Sequence, residues 1–372
     1  MNSLMNKSSR SRRKKKTKSV VADRSERRVV KLGTLDRSER RRKGKKTSEL
    51  VGRRIKSTTN ACERSGVDKK DKLKEKEQWS GEDLAKKMVA SGVFNVNTIT
   101  NSYQEIPNLK PPLTSCPVFQ KNITKIRASD CPIPDDKLVK LTHAPENFIC
   151  ASKLNVQEFN RTVILTQVPD VSNAQSTEDF WRMIFHEEIF SIVIAVMPLE
   201  GSFTLQQMFP TLSGTFANHG KMFLNNKKVE SAVAMTAYLL EVLPDGCSNS
   251  LMTTIYHLHN WKQKKGLDNV GELVSTMEKV LKTNENTVFM SMNGTGRAGT
   301  MLALFTAMLH VQKGKEVNMK EIMEKSRAER CGIVDNAEQY GTIYKALAIW
   351  FKSKSTDEDI QKKVNEFAPM IH

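Results

Sequence analysis

Apolar positions along the chain fall into two periods, and each predicts its own elements. Thr177–Phe190 (TEDFWRMIFHEEIF) sets Phe180, Trp181, Ile184, Phe185 and Ile189 at helical spacing, with Thr177 placed to cap the helix. Ser191–Met197 (SIVIAVM) follows as an unbroken apolar run, the pattern of a central strand buried on both faces. Arg161–Thr166 (RTVILT) and Thr287–Met292 predict two further strands, and Arg297–Val311 and Asn336–Phe351 predict helices. Ser80 and Asp83 form a capping-box pattern ahead of Leu84, Met88 and Val89, which predicts a short helix there. Pro107, Pro111, Pro112 and Pro117 mark an irregular stretch. Helices mixed with buried central strands predict a single α/β (α+β) domain. The longest apolar stretches lie near Ile192–Met197 and Ala232–Leu243. Both fall short of the ~18–20 residues that a membrane-spanning helix needs.

Charge divides the chain. Of 372 residues, 59 are Lys or Arg and 41 are Asp or Glu, a formal net charge of +18. Residues 1–76 hold 28 of the basic and 9 of the acidic groups, so the whole excess sits in the first fifth. That segment lacks proline and is poor in apolar residues, so it cannot bury enough surface to offset its ordering entropy. The expected organisation is a disordered basic tail at 1–78, a folded domain at 79–355 and a short polar tail at 356–372. Arg10–Lys18 (RSRRKKKTK) is a dense basic block, and Asp23–Arg28 and Asp36–Arg41 both read DRSERR. Such an arm suits nucleic acid, an anionic membrane surface or a nuclear import receptor. Met1–Lys18 has no apolar segment behind it, unlike a secretory signal. The expected location is therefore cytoplasmic, nuclear or both. Cys62, Cys116, Cys131, Cys150, Cys247 and Cys331 show neither a CxxC pair nor zinc-ligand spacing, so reduced thiols are expected. His257 and His259 share one face of an extended segment but lack a third ligand, so neither a metal nor a cofactor is expected.

One segment carries chemistry. Thr287–Thr300 (TVFMSMNGTGRAGT) runs from an apolar strand through a glycine-rich turn into a helix opened by Arg297. Glycines let successive amides point inward, the helix N-terminus adds a positive dipole, and a guanidinium can clamp a phosphate with two hydrogen bonds. The candidate anion-binding residues are Ser291, Met292, Asn293, Gly294, Thr295, Gly296 and Arg297. Alone, the pattern also fits a plain glycine turn between strand and helix.

Other segments narrow the choice. Glu146–Ser152 (ENFICAS), Arg161–Pro169 (RTVILTQVP), Glu178–Met183 (EDFWRM), Ile192–Met197, Tyr256–Trp261 (YHLHNW) and Val334–Tyr340 (VDNAEQY) resemble, in order, segments of the classical protein tyrosine phosphatase family. The resemblance covers roughly residues 91–351 and implies a twisted mixed sheet flanked by helices. It also implies a reaction with four parts. A cysteine thiolate attacks phosphorus, an arginine clamps the phosphoryl oxygens, an aspartate protonates the leaving group, and a glutamine orients water.

Set against the family loop HCxxGxGR[ST]G, this chain has Ser291 where the cysteine belongs, Met290 for the histidine and Ala298 for the hydroxyl residue. After Trp261 come Lys262 and Gln263 in place of Pro-Asp, and Asp335 replaces the glutamine, while Gln339 is kept. Thr124 in Asn122–Lys125 (NITK) stands where the family has an aromatic that stacks on the substrate ring. No catalytic residue is therefore expected. The leading reading is a pseudophosphatase that binds or scaffolds protein partners, possibly phosphotyrosyl ones. Two alternatives stand beside it. One is a residually active phosphatase, and the other is a polyanion binder acting through residues 1–76 on nucleic acid or an anionic membrane.

Overall fold

The structure, a computed structural model, describes residues 79–142 and 148–371. The tail expected at 1–78 lies outside the described residues.

The chain enters through α1 (Glu82–Ala90), α2 (Val96–Gln104) and the short α3 (Pro117–Lys121). Next come β1 (Ala151–Leu154), β2 (Val163–Gln167), α4 (Ala174–His186) and β3 (Ser191–Ala195). A run of antiparallel strands follows: β4 (Phe216–His219), β5 (Met222–Ser231), β6 (Met235–Pro244) and β7 (Leu251–Leu258). Then α5 (Gly271–Thr283) leads to β8 (Thr287–Ser291), which is followed by α6 (Gly296–Gln312), α7 (Met319–Glu329), α8 (Ala337–Lys354) and α9 (Glu358–Phe367).

All eight strands form one mixed sheet in the order β1-β2-β8-β3-β7-β6-β5-β4. Its centre is parallel, from β2 through β8 and β3 to β7, and both flanks are antiparallel. Every residue of β2, β3 and β8 is buried, which is why these strands read as unbroken apolar runs. Side chains alternate between two cores, as the two-residue period of a strand demands. Val163, Leu165, Val193 and Phe289 join α5, α6 and α8 on one face, whereas Ile164, Ile192, Ile194, Val288 and Met290 join α4 on the other. Helix α6 is apolar nearly all round because it is buried nearly all round.

Three expectations need correction. Ser80 does not cap α1: Gly81 precedes the helix and makes no side-chain cap, because the first turn starts at Glu82. Thr177 does not cap α4: the helix begins a turn earlier, where Asn173 accepts from the Gln175 amide, and Thr177 is buried within it. The segment expected as a short polar tail at 356–372 packs on the domain over its described residues, 356–371. Asp357 caps α9, whose Ile360, Val364 and Phe367 lie at i, i+4 and i+7 and pack on the main core. Phe367 meets Phe94 edge-on at 5.3 Å.

Candidate functional site: the loop from β8 to α6

The central parallel strands end together. Ser291 pairs with Gln167 of β2 and with Ala195 of β3, and Ala195 pairs with Leu258 of β7. The segments that leave these four strands therefore converge at the carboxyl edge of the sheet, the usual place for a site in a parallel arrangement.

The loop itself is tightly built. The Ser291 carbonyl accepts from the Val168 and Gly294 amides, both at 3.1 Å, which turns the chain away from the sheet. Gly294 has φ +66°, and any side chain there would collide with the backbone at Thr166 and Gln167. Thr295 leads into α6, and Gly296 pairs with Ile333 in a parallel bridge. The seven residues singled out for anion binding run from the end of β8 through this loop into the first turn of α6. Arg127 is tied to the same edge, its amide donating to Gln167 Oε1 and its guanidinium to the Val168 and Pro169 carbonyls.

The site carries its own anions. Arg297, buried at 3% exposure, donates from Nη1 to Glu200 Oε2 at 2.8 Å and from Nη2 to Glu200 Oε1 at 2.5 Å. A third bond runs from Nη1 to the Trp261 carbonyl at 2.6 Å. A guanidinium buried this deeply needs such a fork of partners. Glu200 sits on the loop after β3, between Leu199 and Gly201, both with positive φ. On the other side of the loop, the Asp335 carboxylate takes a hydrogen bond from the Gly296 amide and lies where a Gly296 side chain would be. Although Asp335 is exposed at the rim, packing around its carboxyl pushes it above its usual range. The Gly296 amide and the charges of Lys264 and Arg297 oppose that shift. Gln339 holds the turn by accepting the Asp335 amide on Oε1 at 2.9 Å. Its Nε2 is buried and finds no partner among the described residues.

The remaining sequence candidates lie on neighbouring segments, and the one after β7 reaches this centre through the Trp261 carbonyl. Gln263 is exposed, as are Lys262, Lys264 and Lys265 around it. Trp261 is fully buried, with Nε1 donating to the Lys265 carbonyl at 2.8 Å, and the Lys265–Glu338 pair at 3.0 Å ties this segment to α8. Thr124 is exposed on a 3-10 turn. The rings of His257 and His259 lie tilted to each other with centroids 5.5 Å apart, and His257 Nε2 donates to the Val196 carbonyl at 2.8 Å.

Burial lowers His257 to about 4, and this makes a prediction. Between that value and the ordinary one near 6.5, the unfolded chain binds a proton that the native chain refuses. Stability is then complete above pH 6.5, falls as pH drops, and levels off near 4. The expected loss is about 3 kcal/mol. Urea denaturation across this range should show it, and His257→Gln should flatten it.

Glu200 was missed by sequence reasoning. A usable signal exists: a buried arginine at a helix start demands a carboxylate, and Glu200 is the acidic residue just past the apolar strand β3.

A family profile described as protein-tyrosine phosphatase matches residues 122–349, more than half of the chain. The chain is 64% identical over 293 residues to a putative tyrosine-protein phosphatase of Caenorhabditis elegans, covering 79% of this chain and 73% of that protein. It is 26% identical over 262 residues to tyrosine-protein phosphatase non-receptor type 2 of Rattus norvegicus, covering 67% and 61%. It is 28% identical over 177 residues to receptor-type tyrosine-protein phosphatase alpha of Mus musculus, covering 46% and 21%. The chain belongs to the protein-tyrosine phosphatase family. It spans less than two thirds of the length of the rat and mouse relatives.

Proposed function

We propose that this chain is a catalytically inert member of its family that acts by binding protein partners. The observation that carries the reading is Ser291 at the head of the β8–α6 loop. A serine hydroxyl lies far too high in pKa to ionise as a cysteine thiol does, and Met290 rather than a histidine precedes it. Gln263 cannot donate a proton to a leaving group, and Asp335 brings negative charge where water would be oriented. The two internal carboxylates support the same reading, since Glu200 occupies the guanidinium and Asp335 one loop amide.

On this reading the loop binds a phosphotyrosyl peptide weakly, in the high micromolar to millimolar range, equivalent to ~4–6 kcal/mol. Calorimetric or NMR titration should find binding abolished in Arg297→Ala. In Asp335→Gln it should tighten by about tenfold, the order expected when one close like charge is removed from a solvated site. Equal binding by wild type and Arg297→Ala would refute a role for the loop in anion recognition.

A second reading has its own support in the +19 balance of residues 1–76. These residues bind polyanions such as nucleic acid or anionic membrane by releasing counterions, in the cytoplasm or nucleus. Affinity of the full chain for heparin or RNA should fall steeply as salt rises, and deletion of residues 1–76 should remove it. Salt-independent binding would exclude the electrostatic account. Among the described residues no helix is long and apolar enough to cross a membrane.

A further inference from the structure

Two cysteines 200 positions apart meet beside the loop. Cys131 lies in the turn that follows the 3-10 segment Ile123–Lys125, its amide bonded to the Ala128 carbonyl at 3.1 Å. Cys331 lies just after α7. The two pack with Ala128 in a small cluster separate from the main cores, and the Cys331 thiol donates to the Pro132 carbonyl at 3.5 Å. Gly332 makes the approach possible. Its φ is +75°, and a side chain there would collide with Cys131 Sγ. Its neighbour Ile333 bridges Gly296, and the Gly332 position faces Thr295 at 3.3 Å, so the pair adjoins the β8–α6 loop directly. Cys331 is fully buried, whereas Cys131 keeps 9% exposure, enough for a small neutral oxidant to reach the cluster.

We propose that Cys131 and Cys331 are a redox modification site, closing to a disulfide on reaction with hydrogen peroxide and reopening with a thiol reductant. This inference is independent of what the loop binds.

The surroundings divide the two roles. The adjoining Cys131 lowers the Cys331 thiol, assisted by the charges of Arg330 and Lys110 and opposed by burial. The contact with Cys331 and burial raise Cys131. Arg330 is itself buried and fixed by donation to Ser152 Oγ at 2.7 Å, so its charge is held in place. Cys331 is therefore the attacking sulfur once its S–H leaves the Pro132 carbonyl, and Cys131 the resolving thiol. In the first step the Cys331 sulfur attacks one peroxide oxygen. The S–O bond forms, the O–O bond breaks, sulfur is oxidised by two electrons to the sulfenic acid, and the other oxygen leaves as water once protonated. In the second step the Cys131 sulfur attacks Cys331 Sγ. The S–S bond forms, the S–O bond breaks, and the hydroxyl leaves as water with the Cys131 proton. Two thiols and one peroxide thus give one disulfide and two waters.

The test uses the full chain treated with hydrogen peroxide under native conditions. Remaining thiols are alkylated in denaturant, and the chain is digested without reduction and analysed by mass spectrometry. The expected product is a peptide pair joined through Cys131 and Cys331, lighter by two hydrogens than the sum of the parts and lost on dithiothreitol treatment. In Cys131→Ser the pair should vanish and Cys331 should instead be trapped by dimedone as the sulfenic acid. Exposed Cys247 serves as the comparison thiol. Full alkylation of both Cys131 and Cys331 after exposure that oxidises Cys247 would overturn the proposal. So would a disulfide of either residue with a different cysteine as the main product.

Discussion

Glu200→Ala is expected to destabilise the protein by about 3–5 kcal/mol, because it leaves a buried guanidinium without its carboxylate. Arg297 has 2% side-chain exposure and Glu200 12%, so solvent cannot take over the lost contacts. The Trp261 carbonyl remains as one partner, which places the effect toward the lower end. Two controls separate charge from shape. Glu200→Ala combined with Arg297→Met removes both ions and should cost far less than Glu200→Ala alone. Phosphate or sulfate should restore part of the midpoint in Glu200→Ala by entering the space Glu200 vacates beside the guanidinium, with the gain rising logarithmically with anion concentration. Urea denaturation followed by fluorescence reads all three. A midpoint unchanged in Glu200→Ala would mean that the pair does not hold the loop.

Ser291→Cys is expected to remain at the blank rate of phosphate release, although it restores the missing nucleophile. The loop would present a thiol at the end of β8, but Gln263 lies exposed on its own segment and has no proton to give. Asp335 would repel both the thiolate and the substrate dianion. Adding Gln263→Asp and Asp335→Gln to Ser291→Cys should raise the rate by about 10²–10⁴, the usual worth of a placed general acid. Assay of the single and triple variants with a phosphotyrosyl peptide decides this. A fast single variant would show that the other two losses are unimportant.

Much of this was legible in the chain because the buried parts write strong patterns. The apolar runs at Ser191–Met197 and Thr287–Met292 are central strands, and the helix read at Asn336–Phe351 is α8, capped by Asn336 itself. The β4–β7 strands were harder. Their burial alternates and the far end of β5 is exposed, so only the apolar stretch near Ala232–Leu243 stood out. Helix α9 escaped because only Ile360, Val364 and Phe367 of its ten residues are buried, and so the segment reads as polar. Around the loop, residues within one segment were readable and long-range partners were not. Ser291 through Arg297 form a local pattern. Glu200 and Cys131 gain their meaning from residues 97 and 200 positions away, which only the folded sheet edge brings near.

The central claim is that this member of the family does not turn over phosphate esters. Its most direct test is steady-state phosphate release from a phosphotyrosyl peptide by the unmodified full chain, with and without vanadate and beside Arg297→Ala. The account predicts a rate at the blank, unaffected by vanadate and identical in Arg297→Ala. Vanadate-sensitive turnover that is lost in both Ser291→Ala and Arg297→Ala would contradict it.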